Sequence, residues 1–196
     1  MNLIIIAGMP SAGKTTLARM VSEAFDYPVL EKDEIKEMMF DHIGYNDRTE
    51  KRKLDYASNA ILLQTTEKLL KKGQSLIIVN NFRSDARDAV QGMISRCGCK
   101  CVNVFLGGDA DVFYQRYVER DKLKLRHQGH TFIDRYPPQP GDDVDKSMTR
   151  QDFADIFEKQ GMAEFKIDGT RIDVDATYPE KVDTHALIER IKEALA

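Results

Sequence analysis

The hydrophobic pattern changes period along the chain. Asn2 to Ala7 is an unbroken apolar run ending at Gly8. Such a run predicts a strand buried on both faces, as in a parallel sheet covered by helices. From Thr15 to Phe25 the pattern becomes helical, with Leu17, Val21, Ala24 and Phe25 on one stripe. Tyr27 to Leu30 reads as a second strand. Asp33 to Ile43 reads as a helix with Ile35, Met38 and Met39 inward. A longer helix is predicted from about Glu50 to Lys72, with Leu54, Ile61, Thr65 and Leu69 on its buried side and Gly73 as its stop.

Ser75 to Val79 is a third strand, Ser84 to Arg96 a helix, Cys99 to Leu106 a fourth strand and Asp109 to about Leu125 a helix. The stretch 126–145 loses periodicity and carries Pro137, Pro138, Pro140, Gly129 and Gly141, which predicts a loop or lid. Asp152 to Gln160 reads as a short helix. Ala163 to Asp175 holds one or two short strands around the Asp168-Gly169 turn. Pro179 to Ala196 reads as a last helix with Leu187, Ile191, Ala194 and Leu195 inward. Buried strands separated by helices imply a three-layer α/β/α fold with about five mainly parallel strands.

Composition narrows the choice of partner. A chain of 196 residues with 42% hydrophobic content suits a single domain with its own core. A net charge of −3 and a pI of about 5.9 argue against a polynucleotide partner. Lys51, Lys53, Lys71 and Lys72 read as solvated helix ends. No run of about 18 apolar residues is present, so no membrane-spanning helix is expected. The start lacks a basic leader, and a cytoplasmic location is expected. Cys97, Cys99 and Cys101 have neither the count of a disulfide framework nor the spacing of a usual zinc site, and read as a turn and strand start.

The chemistry begins at Gly8-Met9-Pro10-Ser11-Ala12-Gly13-Lys14-Thr15, which fits the phosphate-binding pattern G-x-x-x-x-G-K-[ST]. Phosphate oxygens must approach main-chain N–H groups closely, so a side chain at Gly8 or Gly13 would obstruct that approach or the backbone angles. The loop opens a helix whose N-terminus favours an anion. Gly8, Ser11, Ala12, Gly13, Lys14, Thr15 and Thr16 are therefore predicted to hold ATP. Lys14 would reach the β- and γ-phosphates, and the Thr15 hydroxyl would ligate Mg²⁺.

This loop, with VLEKDEIKE, LIIVNNFRSDARD and VFLGGDADVFYQRYVERDKLKLRH, resembles the small P-loop kinases. The similarity covers roughly residues 1–130. It points to the zeta-toxin-like, polynucleotide-kinase-like and chloramphenicol-phosphotransferase-like ATP-binding group. The resemblance implies that Asp33 orients an acceptor hydroxyl and takes its proton, with Glu34 as understudy. The alternative for Asp33 is the N-cap of the next helix. The resemblance also implies that Arg116 packs on adenine, that Arg120 contacts the transferring phosphate, and that Arg126 closes over it from the lid. The alternative for all three is a solvated face paired with Glu119, Asp121 and Lys122. His127 and His130 read as solvated lid residues.

One position departs from the pattern. Many similar proteins end the third strand with an acid that holds Mg²⁺ through water, whereas this chain has Asn80 and Asn81. Thr15 and Asp33 are then expected to carry more of the metal site. Asn81 and Arg83 either face the acceptor or form a turn and cap. The expected activity is transfer of the γ-phosphoryl group to a hydroxyl of a small-molecule acceptor. A nucleoside, nucleotide or polynucleotide 5′-hydroxyl kinase and a non-kinase NTP-binding module are the rival readings.

Overall fold

The fold is taken from a computed structural model that describes residues 1–131 and 133–196. Five strands form one parallel sheet: β1 (Asn2–Gly8), β2 (Val29–Glu31), β3 (Leu76–Val79), β4 (Lys100–Gly107) and β5 (Thr170–Asp175). Their order is β2-β3-β1-β4-β5. Leu3 to Ile6 pair with Leu76 to Val79 on one side, and Asn2 to Gly8 pair with Lys100 to Leu106 on the other. The order reverses at β1, so a crevice opens at the strands' C-terminal ends beside it.

The helices are α1 (Lys14–Phe25), α2 (Lys32–His42), α3 (Arg48–Lys71), α4 (Arg87–Cys97), α5 (Ala110–Lys122), α6 (Arg150–Lys159) and α7 (Thr184–Leu195). They cover both faces of the sheet. Ile4, Ile6, Val102 and Val104 share a core with Leu17, Val21, Phe113, Leu187 and Ile191. Leu3, Ile5, Leu76 and Ile78 share another with Leu62, Leu70, Val90 and Met93. Alternate β1 residues thus face opposite layers, which explains the continuous apolar run. Each fully buried Leu or Ile contributes about 1.5–3 kcal/mol.

Helix starts follow their caps. Asp47, Asp109 and Asp183 each accept a backbone N–H of the first turn they precede, and Thr149 with Asp152 closes a capping box at α6. The last predicted helix is in fact a 3₁₀ turn (Pro179–Lys181) followed by α7, because the cap sits at Asp183. Ser84–Ala86 is likewise a 3₁₀ turn before α4. One strand, β5, follows the Asp168-Gly169 turn.

Three predicted helix faces differ from those observed. In α3 the buried stripe is Leu54, Ser58, Leu62, Thr66 and Leu70, while Ile61 is exposed. Ile61-Leu62 and Leu69-Leu70 are adjacent apolar pairs, so periodicity alone does not choose between neighbouring rows. The small Ser58 and Thr66 turn their hydroxyls back to Asp55 and Leu62 carbonyls, and this lets that row pack inward. In α2, Met38 is exposed and the buried stripe is Lys32, Lys36 and Phe40. In α1, Ala24 is exposed and Ala18 joins Leu17 and Val21 inside.

Segment 126–145 contains a 3₁₀ turn (Gln128–His130) and is otherwise irregular; residue 132 lies outside the described residues. Tyr45 and Tyr136 exchange two backbone hydrogen bonds of 2.8 Å, which tie the segment to the α2–α3 connection. Phe40, Tyr45, Leu54 and Ile133 form a small core beneath it.

Candidate active site

Two adjoining cavities lie over the C-terminal ends of β1, β2 and β3. The larger, about 580 Å³, is lined by Ser11, Gly13, Lys14, Thr15, Thr16, Glu31, Arg116, Arg120 and Leu125, among others. The smaller, about 280 Å³, lies among α2, α3, the loop after β3 and α6. Pro10, Asp33, Asn80, Asn81, Tyr117 and Arg126 line both.

The phosphate loop shapes the larger cavity. Gly8 and Gly13 are glycine for different reasons. At Gly8 an added Cβ would sit 2.2 Å from the Leu106 carbonyl oxygen, so the loop packs directly on β4. At Gly13 nothing lies within 4 Å, but φ is +88°, a backbone that L side chains rarely adopt. Gly13 is also the N-cap of α1 and offers no side chain to the helix start. The first-turn N–H groups of α1 are left for an anion. Ala12 is buried in the core, and its N–H is donated to the Met9 carbonyl. Ser11, Thr15 and Thr16 face the cavity.

The Lys14 amine donates to the Met9 and Gly8 carbonyls at 2.7 and 3.3 Å. Burial lowers its pKa to about 8, against the pull of Asp33 and with the push of Arg120, Lys32 and Arg126. An amine so placed gains from an incoming phosphate.

β3 ends without an acid, and a carboxylate stands instead at the end of β2, beside the phosphate loop. Thr15 Oγ1 donates to Glu31 Oε2 at 2.8 Å. Burial raises the Glu31 pKa, opposed by that hydrogen bond, and Glu34 and Asp33 push it further up. A hydroxyl and two neighbouring carboxylates are hard oxygen donors, the kind Mg²⁺ takes alongside substrate phosphates. Glu31 is not among the site residues expected from the sequence; its one sequence signal is an acid closing a strand two residues before Asp33. Asn80 donates to Asn59 Oδ1 at 3.0 Å, which makes it a structural bond to α3. The Asn81 Oδ1 is buried with no hydrogen-bond partner among the described residues.

Asp33 stands in the first turn of α2, solvent-accessible, where both cavities meet. The N-cap is Glu31, without a side-chain cap bond, so Asp33 is not the cap. Among the described residues nothing hydrogen-bonds its carboxylate. The crowding of the cleft raises its pKa, but His130, Lys32, Lys36 and Lys14 outweigh this and hold it below the ordinary carboxylate range.

Three arginines of the 116–126 stretch line the larger cavity. Arg116 donates to the Ala176 and Thr177 carbonyls, which anchors the loop after β5 at the cavity edge. Arg120 has no ion-pair partner within 4 Å among the described residues. Burial and the nearby Arg126 lower its pKa. Arg126 pairs with Asp121 at 3.1 Å and lies 4.5 Å from the Tyr117 ring centroid, fixing its guanidinium between the cavities. Of these two cavities, Arg83 lines the smaller.

The lid histidines are not solvated. His127 Nε2 is 2.9 Å from Asp41, and His130 Nε2 is 3.0 Å from Glu37, with only 9% of the His130 side chain exposed. Both pack on Phe40. The reason is α2, whose outer end presents Glu37, Phe40 and Asp41 to segment 126–136. An added Cβ on Gly129 would lie 2.2 Å from the Phe40 ring, so only glycine lets the segment sit this close.

Comparison with known proteins agrees with this architecture. A family model described as an AAA domain matches residues 3–131. A candidate kinase from Chloroflexus aurantiacus is 28% identical, with a TM-score of 0.82 over 100% of this chain and 98% of that one. Kti12 from Chaetomium thermophilum, solved with ADP-AlF3, gives 0.62 at 16% identity, covering 99% of each chain. Shikimate kinase from Bacteroides thetaiotaomicron gives 0.55 at 15% identity, covering 98% of this chain and 97% of that one. The last two show a shared fold alone. No curated protein matches the sequence. Because the matched segment spans well over half of its residues, this chain belongs to the AAA domain family.

Proposed function

We propose that the chain is an ATP-dependent phosphotransferase that moves the γ-phosphoryl group to a hydroxyl of a small acceptor. The observation that carries this is Asp33: an ionised carboxylate with no hydrogen-bond partner among the described residues, placed where a phosphate cavity meets a second, adjoining cavity. A module that only binds NTP has no use for such a group there. The similarity to a candidate kinase at 28% identity adds weight, as does the fold shared with a kinase named for a small substrate. The finer resemblance to the zeta-toxin-like group rests on the motif residues.

In this reading the loop backbone and Lys14 hold the β- and γ-phosphates. Thr15 and Glu31 would hold Mg²⁺, with Asp33 beside them; the ion neutralises phosphate charge when bound. Asp33 accepts the proton of the acceptor hydroxyl, whose oxygen bonds to the γ-phosphorus as the bond to the ADP oxygen breaks. Its low pKa makes Asp33 a positioning base rather than a strong one. Arg120 and Arg126 offset charge on the transferring group. Arg116 holds the loop that edges the nucleotide's base. Segment 126–145 acts as a lid that excludes water. The second cavity, about 280 Å³, suits a compact metabolite better than a polynucleotide end.

The test is ADP release in Mg²⁺ and ATP across a panel of hydroxyl compounds, for the wild type and Asp33→Asn. Acceptor-dependent release that collapses in the variant, with ATP still bound, is expected. ATP binding with no acceptor-stimulated release would sink the proposal.

A further inference from the structure

The acceptor cavity is built around cations that have too few anions. Lys32, Lys36, Lys51, Arg83 and Arg126 line it. Against these five stand Asp33, Asp55 and Asp85 on the wall and Asp121 behind Arg126, leaving a surplus of one positive charge. Nor are the acids evenly shared. Asp55 Oδ1 is 2.6 Å from both the Lys32 and Lys36 amines, and its Oδ2 is 3.4 Å from Arg83. One carboxylate thus touches three cations, of which Arg83 also pairs with Asp85 at 3.3 Å.

Lys32 and Lys36 are each only 8% exposed, an unusual burial for lysine. Lys51 is worse placed. Its amine donates to the Thr131 carbonyl at 2.7 Å and lies 5.1 Å from the Tyr45 ring centroid. No carboxylate lies within ion-pair distance of it among the described residues. Burial, with Lys36, Arg126 and Arg48 nearby, lowers its pKa to about 7.

These groups are also aimed. Lys36, Lys51, Asp55 and Arg83 line a further cleft of about 260 Å³, so they form the partition at the far side of the acceptor cavity. The Arg83 guanidinium lies 5.1 Å from the Tyr56 ring centroid, which fixes its plane. A purely structural cluster would match each buried cation with its own acid, since uncompensated buried charge is costly. Here the deficit is left open at a cavity wall.

We infer that the acceptor is a compact hydroxyl compound bearing an anionic oxygen group, held by Lys36, Lys51 and Arg83 while its hydroxyl faces Asp33. This rests on the phosphotransferase reading and names the substrate class of that same site. The group is a carboxylate or a phosphate monoester, because both present oxygens to a guanidinium fork and two amines. The polar reach between Asp33 and the partition sets the size, and the cavity volume keeps the body small.

The test is calorimetric binding in Mg²⁺ and a non-hydrolysable ATP analogue, with two matched sets. One is glycerol, glycerate and glycerol 3-phosphate; the other is glucitol, gluconate and glucitol 6-phosphate. At least one anionic member should bind about tenfold or more tightly than its neutral parent. Lys51→Met and Arg83→Gln should each weaken it by about tenfold or more, with affinity for the ATP analogue unchanged. Whether the carboxylates or the phosphates bind identifies the group. Neutral members binding as tightly, no anionic member binding, or anionic binding indifferent to both variants would overturn the inference. If either variant loses nucleotide binding, the wild-type comparison decides by itself. ADP release with ATP separates the two readings. Release driven by a neutral polyol keeps the kinase and removes the anionic acceptor. Anion binding without release does the reverse.

Discussion

The two sides of the cleft are made differently. On the nucleotide side the phosphate seat is mostly backbone, drawn from one contiguous loop and the helix it opens, with the arginines of 116–126 across the cavity from it. The acceptor side is mostly side chain, drawn from α2, α3, the loop after β3, segment 126–131 and α6. A backbone site needs few particular residues, and these must be neighbours, so it leaves a motif. A side-chain site assembled from five segments leaves none, because the spacing between its members is set by the fold. Generic phosphate binding can be conserved in form while the acceptor side is free to change its chemistry.

That division can be tested where it should be sharpest. Asp33→Asn is expected to lower turnover about 10²–10⁴-fold while ATP affinity moves less than about twofold. A parallel loss of ATP affinity in calorimetry would place Asp33 on the nucleotide side and blur the boundary. Next comes the scaffold of the acceptor side. Leu62→Ala in α3 should cost about 2–5 kcal/mol in chemical denaturation. The adjacent Ile61→Ala should stay within about 0.5 kcal/mol, because the first is fully buried and the second exposed. Equal costs would mean that α3 packs on a different row.

Glu31→Gln should raise the Mg²⁺ concentration for half-maximal turnover about 10–100-fold, with acceptor KM unchanged; an unaltered Mg²⁺ titration would return the metal to other oxygens. Gly129→Ala should destabilise the chain by about 1–3 kcal/mol as its methyl meets the Phe40 ring, and should disturb acceptor use before ATP binding. The smallest effect is in pH. The Lys14 amine, lowered to about 8 chiefly by burial, is charged below that value and neutral above it. ATP affinity of the free protein should hold below pH 8 and weaken as pH rises through it, in a fluorescence titration. An affinity flat to pH 10 would show that the amine keeps its ordinary value.

The difference in construction also explains what was legible in the sequence. The five-stranded parallel sheet followed from apolar runs separated by helical periods, and the loop from its motif, whereas the strand order came only with the structure. The residues predicted around the larger cavity do assemble there, apart from Gly8 and Ala12, which support the loop from within. What stayed hidden was side-chain environment. Lys32 and Lys36 look like an exposed face in the sequence, because buried lysines make sense only once Asp55, two turns into another helix, is beside them. Met38 and Ile61 were placed inside by hydrophobicity, although the neighbouring rows were the ones that met the sheet and the cleft. His127 and His130, in a stretch without periodicity, gave no sign that Phe40 and two acids of α2 would receive them.

The shared carboxylate of Asp55 has a consequence for how this protein can change over generations. Three cations, two from α2 and one from the loop after β3, meet on one group of α3, so substitutions at Lys32, Lys36 and Arg83 are not independent. Removing one cation tightens the carboxylate's hold on the other two; removing the carboxylate sets three like charges against each other. A lineage drifting towards a different acceptor therefore meets epistasis at this joint. Single steps are penalised, and paired changes provide the passable route.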